Sequence, residues 1–95
     1  MQLDFTATTF EWRGPAPFVF VAVPEPEAGM IASAAQMVTY GWGMVPVTAT
    51  IGDTQWTTSL GPRNGGYVVP LKVVVQRAER IELDADICIS IVVAV

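Results

Sequence analysis

Residues 41–77 read GWGMVPVTATIGDTQWTTSLGPRNGGYVVPLKVVVQR, and this stretch decides the fold. Val45, Val47, Ala49 and Ile51 alternate with Pro46, Thr48 and Thr50, the period of a strand with one face buried, and Pro46 belongs at an edge or a strand start. Gly52 and Asp53 form a two-residue hairpin loop with glycine at the first central position. Thr54, Trp56, Thr58 and Leu60 then return as the antiparallel neighbour. Asn64, Gly65 and Gly66 mark a second turn, after which residues 67–69 make a short strand. Pro70 opens a helix at a position where its missing N–H costs nothing, with Leu71, Val74, Val75 and Ala78 on one face.

Strand patterns continue on both sides of the block. Leu3, Phe5 and Ala7 alternate, and Phe10 and Trp12 alternate in the opposite phase, which predicts a bulge or bend near Thr8 and Thr9 as the first strand curves around a barrel. Gly14, Pro15 and Pro17 make a turn. Residues 18–23 read as a strand with apolar residues on both faces, ended by Pro24. Residues 25–40 carry helix-entry signs in Pro26, Glu25 and Glu27, and Ile31, Ala34, Ala35 and Val38 fall on one face. The last strand, over 87–95, places Ile87, Ile89, Ile91, Val93 and Val95 on one side and the smaller Cys88, Ser90 and Ala94 on the other.

Length and composition bound the function. Ninety-five residues make a single domain spanning 1–95 with one modest core. An apolar fraction of 52% against 15% charged residues leaves apolar surface that a second copy would cover, so a homo-oligomer, in the simplest case a homodimer, is expected. A net charge of -4 repels phosphate backbones and anionic lipids, which disfavours nucleic acid and membrane surfaces as partners. The most apolar run is under half the ~20 residues that a membrane-crossing helix needs. The single Cys88 has no partner for an internal disulfide, and the first ten residues, MQLDFTATTF, lack the basic and apolar regions of a signal peptide. A reducing cytoplasmic setting is the expectation.

With these elements placed, the sequence resembles a small bacterial family known only as Domain of Unknown Function nineteen-oh-five. The likeness covers nearly the whole chain. It rests on Phe10 and Trp12, the strand running from Phe18 to Pro24, Val45-Pro46-Val47 leading to Ile51-Gly52, Trp56-Thr57-Thr58-Ser59-Leu60 with Pro62, Gly66-Tyr67-Val68-Val69-Pro70-Leu71-Lys72, and Arg77. The resemblance implies a mainly β fold with two short helices, a small double-split β-barrel whose architecture is shared with dimeric bacterial transition regulators and antitoxin DNA-binding domains. It implies no activity. Gly61 stands where relatives often carry an aromatic residue, which would open a pocket here. Leu83-Asp84-Ala85-Asp86 lacks the Gly-Asp turn usual before the final strand.

The catalytic and metal constellations are absent. No histidine and one cysteine exclude zinc and Cys/His catalysis within a single chain, and no cofactor is expected. The Gly65-Gly66 pair lacks the spacing of a phosphate-cradling loop and reads as a turn. Ser59 and Lys72 are the only pair from which a nucleophile and its base could be assembled. Arg63, Lys72, Arg77 and Arg80, four of five cations, lie between positions 63 and 80. With Trp42, Trp56, Ser59, Asn64 and Tyr67 they would line a cleft for an anionic or planar ligand, or they would sit on a solvated face where Arg77 and Arg80 pair with Glu79, Glu82 or Asp84. The reading of the sequence is a non-enzymatic binding module for a small molecule, a peptide or a protein partner, with Trp42, Ser59, Arg63, Tyr67, Lys72 and Arg77 at its site. The alternatives are a DNA-binding regulator or antitoxin-like dimer by fold analogy and, behind it, a Ser/Lys hydrolase.

Overall fold

A computed structural model of the chain describes residues 1–15, 18–38 and 43–93, and the side chains of 36–38 are not among what it describes. In chain order the elements are β1 (Gln2–Trp12), β2 (Phe18–Ala22), α1 (Glu27–Val38), β3 (Val45–Ile51), β4 (Thr54–Arg63), β5 (Gly66–Leu71), α2 (Val73–Ala78) and β6 (Asp86–Val93). The strands close into an antiparallel barrel in the order β1-β2-β5-β4-β3-β6. This is the mainly β barrel with two short helices that the sequence predicts.

The two longest strands carry the closure, because each changes partner part-way along. β1 pairs with β6 from Gln2 to Thr8 and with β2 from Thr9 to Trp12. β4 pairs with β3 from Thr54 to Leu60 and with β5 from Gly61 to Arg63. Each long strand thus bridges two ladders of the closed barrel. β3 shows the predicted alternation most cleanly, with Val45, Val47, Ala49 and Ile51 buried and the intervening residues half-buried. Pro46 precedes Val47, where the β3–β6 ladder begins, so its missing N–H falls outside that ladder. Inward side chains of all six strands fill the barrel, among them Leu3, Val21, Leu60, Val69 and Ile91.

The helices cover opposite ends. α1 connects β2 to β3, lies against β5 and β3, and buries Ala28, Ile31 and Ala35 at the end that holds the β4–β5 hairpin. α2 connects β5 to β6 and lies near β4 at the end of the β3–β4 hairpin, where the Thr54 hydroxyl donates to Glu79 Oε2 at 2.6 Å. Only Val75 of α2 is buried.

Three expectations are corrected. No phase flip or bulge interrupts β1: Leu3, Phe5, Ala7 and Thr9 form one inward row, and Phe10 and Trp12 face outward. Thr9 is the one fully buried polar residue among the described residues. Its hydroxyl donates to the Glu82 carbonyl at 2.6 Å and accepts from the Ala85 N–H at 3.2 Å, which is why a threonine stands in an apolar row. Pro70 and Leu71 belong to β5 rather than to the second helix, because Phe20 and Val19 of β2 pair with them. α2 therefore starts at Val73, and Val74, assigned to the buried face, is exposed. Glu25 and Pro26 form a turn ahead of α1.

Candidate functional site

Register places the site on the outer face of β1, β2 and β5. Residues opposite each other in a ladder share a face, so Phe10, Phe20 and Pro70 form one row, and Ala22, Val68 and Gly61 form the next. The second row is made of small side chains. Between the aromatic row and the end of β4 this leaves a groove of about 370 Å³, lined by Phe10, Ala22, Val23, Arg63, Asn64, Gly66, Tyr67 and Val68. Gly61 is the ladder partner of Val68, and a Cβ there would meet Val68 Cγ2 at 3.7 Å, so an aromatic side chain at this position would project beside the groove floor.

Arg63 and Asn64 reach the groove because of the β4–β5 hairpin. Arg63 pairs with Gly66, and the two residues between them, Asn64 and Gly65, have φ of 50° and 78°. Both values are left-handed, the geometry that favours Asn-Gly in two-residue hairpin loops. The Arg63 guanidinium carbon lies 5.0 Å from the centroid of the Phe10 ring. Phe10 and Phe20 stack at 5.9 Å and 29°, and Phe18 tilts against Phe20 at 6.0 Å and 46°. Arg13 and Glu11, 3.2 Å apart, make the one ion pair among the described residues. Arg63 has none.

The residues proposed from sequence separate into groups. Arg63 and Tyr67 meet at the groove, where Tyr67 is half-buried against the core and its carbonyl accepts from the Val23 N–H at 2.9 Å. Lys72 and Arg77 sit past the other end of β5, whose six residues span about 17 Å. Both are exposed, as is Arg80, and none of the three pairs with Glu79, Glu82 or Asp84. Ser59 lies on β4 opposite Pro46, half-buried. Trp56 is buried in the barrel, and its indole N–H has no hydrogen-bond partner among the described residues. Trp42 lies outside the described residues.

The sequence reading missed the outer aromatic row. Phe10, Trp12, Phe18 and Phe20 are placed symmetrically about Pro15, and the antiparallel register of β1 and β2 puts Phe10 beside Phe20 and Trp12 beside Phe18. That symmetry was the available signal. Gly14 completes the arrangement, since a Cβ there would collide with the indole of Trp12.

A second cavity, about 400 Å³, lies on the outer face of β1, β3 and β6 and is lined by Asp4, Thr6, Thr50, Cys88 and Ser90 among others. Its polar groups engage one another: Thr6 Oγ1 lies 3.5 Å from Cys88 Sγ, and Gln2 Nε2 donates to Ser90 Oγ at 3.3 Å and to Asp4 Oδ1 at 3.5 Å. Among the described residues no cluster of three or more His, Cys, Asp or Glu could hold a metal ion, and no helix is long and apolar enough to cross a membrane. The groove at Arg63 is the better candidate, because it combines an aromatic wall with an unpaired cation.

A family model described as a domain of unknown function, DUF1905, matches residues 5–91. The chain belongs to the DUF1905 family. No curated protein matches it. The DUF1905 match runs from β1 into β6 and contains every residue lining the groove. Because the family description carries no activity, the function of this DUF1905 domain has to be argued from the groove itself.

Proposed function

We propose that this DUF1905 domain is a non-enzymatic binding module that holds a small planar anion in the groove between Phe10 and Arg63. One observation carries the reading: in a chain with nine carboxylate side chains, the Arg63 guanidinium lies over the Phe10 ring and pairs with none of them. A guanidinium laid on an aromatic ring keeps its N–H edges free, and those edges match a carboxylate in a two-bond fork. Asn64 lines the groove beside Arg63, while Ala22 and Val68 give an apolar floor. The volume is near the lower bound of small-molecule sites. The lining contains no Ser, Cys, Lys, Asp or Glu that would act as nucleophile or base, which supports binding over catalysis. The distance between Arg63 and the other cations weighs against a continuous basic surface for DNA.

Benzoate and 2-naphthoate, titrated against the protein and followed through its backbone amide resonances, test the reading. The expected result is shifts confined to the Phe10, Arg63 and Tyr67 region, with 2-naphthoate the tighter ligand. Arg63→Gln should weaken binding at least tenfold, and Arg63→Lys, which keeps the charge and loses the planar fork, should fall between. Equal affinity in Arg63→Gln, or shifts scattered over the surface, would refute it.

A further inference from the structure

We infer that the groove is one end of a longer docking face, and that its occupant is an extended acidic segment of a partner protein carrying apolar side chains between its carboxylates. This rests on the reading of the groove as an anion site. The aromatic row does not stop where the groove stops. Trp12 and Phe18, 47% and 51% exposed, continue it along β1 and β2 beyond the lining of the groove. Val73 and Val74, 58% and 68% exposed, open α2, which follows β5. A contiguous exposed apolar face with a polar rim marks an interaction site more often than a solvated surface.

Charge at the two ends of this face decides the partner's chemistry. Arg63 stands over Phe10 at one end. At the other, Lys72 directly follows Leu71, whose ladder partner Val19 adjoins Phe18. Among the described residues neither cation has a carboxylate within ion-pair distance, although the chain as a whole carries a charge of -4. The acidic Glu11, on β1 between Phe10 and Trp12, pairs with Arg13 and leaves Arg63 and Lys72 unengaged. A second copy fits poorly, since a two-fold axis laid on this face opposes Arg63 to Lys72 or each cation to itself. A single-stranded nucleic acid would find stacking surfaces but only two cations, against a repulsive net charge.

The closed barrel narrows the mode of binding. Every strand of the barrel has a neighbour on each side, so the segment is held mainly through side chains. An extended heptapeptide puts residues 1, 3, 5 and 7 on one side over about 20 Å, which matches the backbone span from Arg63, paired with Gly66 at the start of β5, to Lys72, just past its end. The fitting pattern has a carboxylate first and last and apolar or aromatic side chains third and fifth.

The probe is the synthetic peptide acetyl-Asp-Thr-Phe-Thr-Leu-Thr-Glu-amide, titrated by calorimetry and by amide resonances against the full chain. It is expected to bind at least tenfold more tightly than benzoate. Phe18→Ala and Lys72→Gln should each weaken the peptide about tenfold while leaving benzoate unchanged, and Arg63→Gln should weaken both. A peptide with lysine at both ends should not bind, and Gln55→Ala, on another face, should have no effect. Peptide affinity no better than benzoate's and indifferent to Phe18→Ala would overturn the longer face and leave the groove standing. Failure of both probes would remove the groove as well. Tighter binding of a thymidine hexanucleotide, or self-association that shields Phe18, would overturn the proposal in favour of nucleic acid or of a second copy.

Discussion

Thr9→Val is the sharpest test of how the barrel is held together. The substitution keeps the branched shape and removes only the hydroxyl, which bridges the Glu82 carbonyl at 2.6 Å and the Ala85 N–H at 3.2 Å at a position with no solvent exposure. The main chain of Thr9 also bonds this turn, donating to the Ala85 carbonyl at 2.9 Å and accepting from the Asp84 N–H at 3.1 Å. Losing the hydroxyl leaves two backbone groups without partners, at roughly 1–3 kcal/mol each, and the lower half of that range applies because the turn itself is partly exposed. The added methyl recovers about 0.8 kcal/mol of burial. The net expectation is a loss of about 2 kcal/mol, or about 8–16 °C in melting temperature for a domain of this size. Thr9→Ser is the control: it keeps the hydroxyl and gives up one buried methyl, worth about 1 kcal/mol. Urea unfolding followed by circular dichroism measures both. A valine variant as stable as the serine variant would refute the reasoning, because burial would then outweigh the two hydrogen bonds.

Two further substitutions probe the hairpins. Gly52 has φ of 57°, and a Cβ there would strike the Glu79 carboxylate, so Gly52→Ala should cost about 2 kcal/mol from left-handed backbone strain and the disturbed Thr54–Glu79 bond. Combined with Glu79→Ala in a double-mutant cycle measured by urea unfolding, the two losses should be less than additive; strict additivity would show that the collision is not felt. Gly61→Phe meets only ordinary contacts at its Cβ, 3.7 Å from Val68 and 4.0 Å from Met44, and its ring would lie beside the groove. Naphthoate affinity should fall tenfold or more, with a melting temperature within about 5 °C of the parent, a shift of about 1 kcal/mol.

The parts of the fold that were legible are those in which local pattern and burial agree. β3, its Gly-Asp loop and the start of β4 follow from strict alternation and a turn residue at the right place. β1 misleads for a definite reason: the rule that apolar residues face inward fails twice in succession, at Thr9, drawn in by backbone groups that need a partner, and at Phe10, turned out onto Phe20. The position of Pro70 fits a helix start and a strand alike, and only pairing with Phe20, fifty residues earlier, decides between them. The site was half legible for a similar reason. Tyr67 and Lys72 are close in sequence, and in a helix they would be about 7.5 Å apart; the strand that joins them is more than twice as long for the same residues. Phe10 and Ala22, which complete the groove, come from strands far away in the chain, and no local signal ties them to Arg63.

The pairing of β1 with β6 also bears on how the barrel comes into being. The Met1 amino group donates to the Val93 carbonyl at 2.9 Å, and Gln2 to Thr8 are zipped to residues 86–92, so the first strand of the chain depends on the last. Loop closure over nearly the full chain length is entropically slow, and contacts of this separation govern the folding rates of small β proteins. During synthesis the apolar inner face of β1 must therefore wait, open to other chains, until β6 leaves the ribosome.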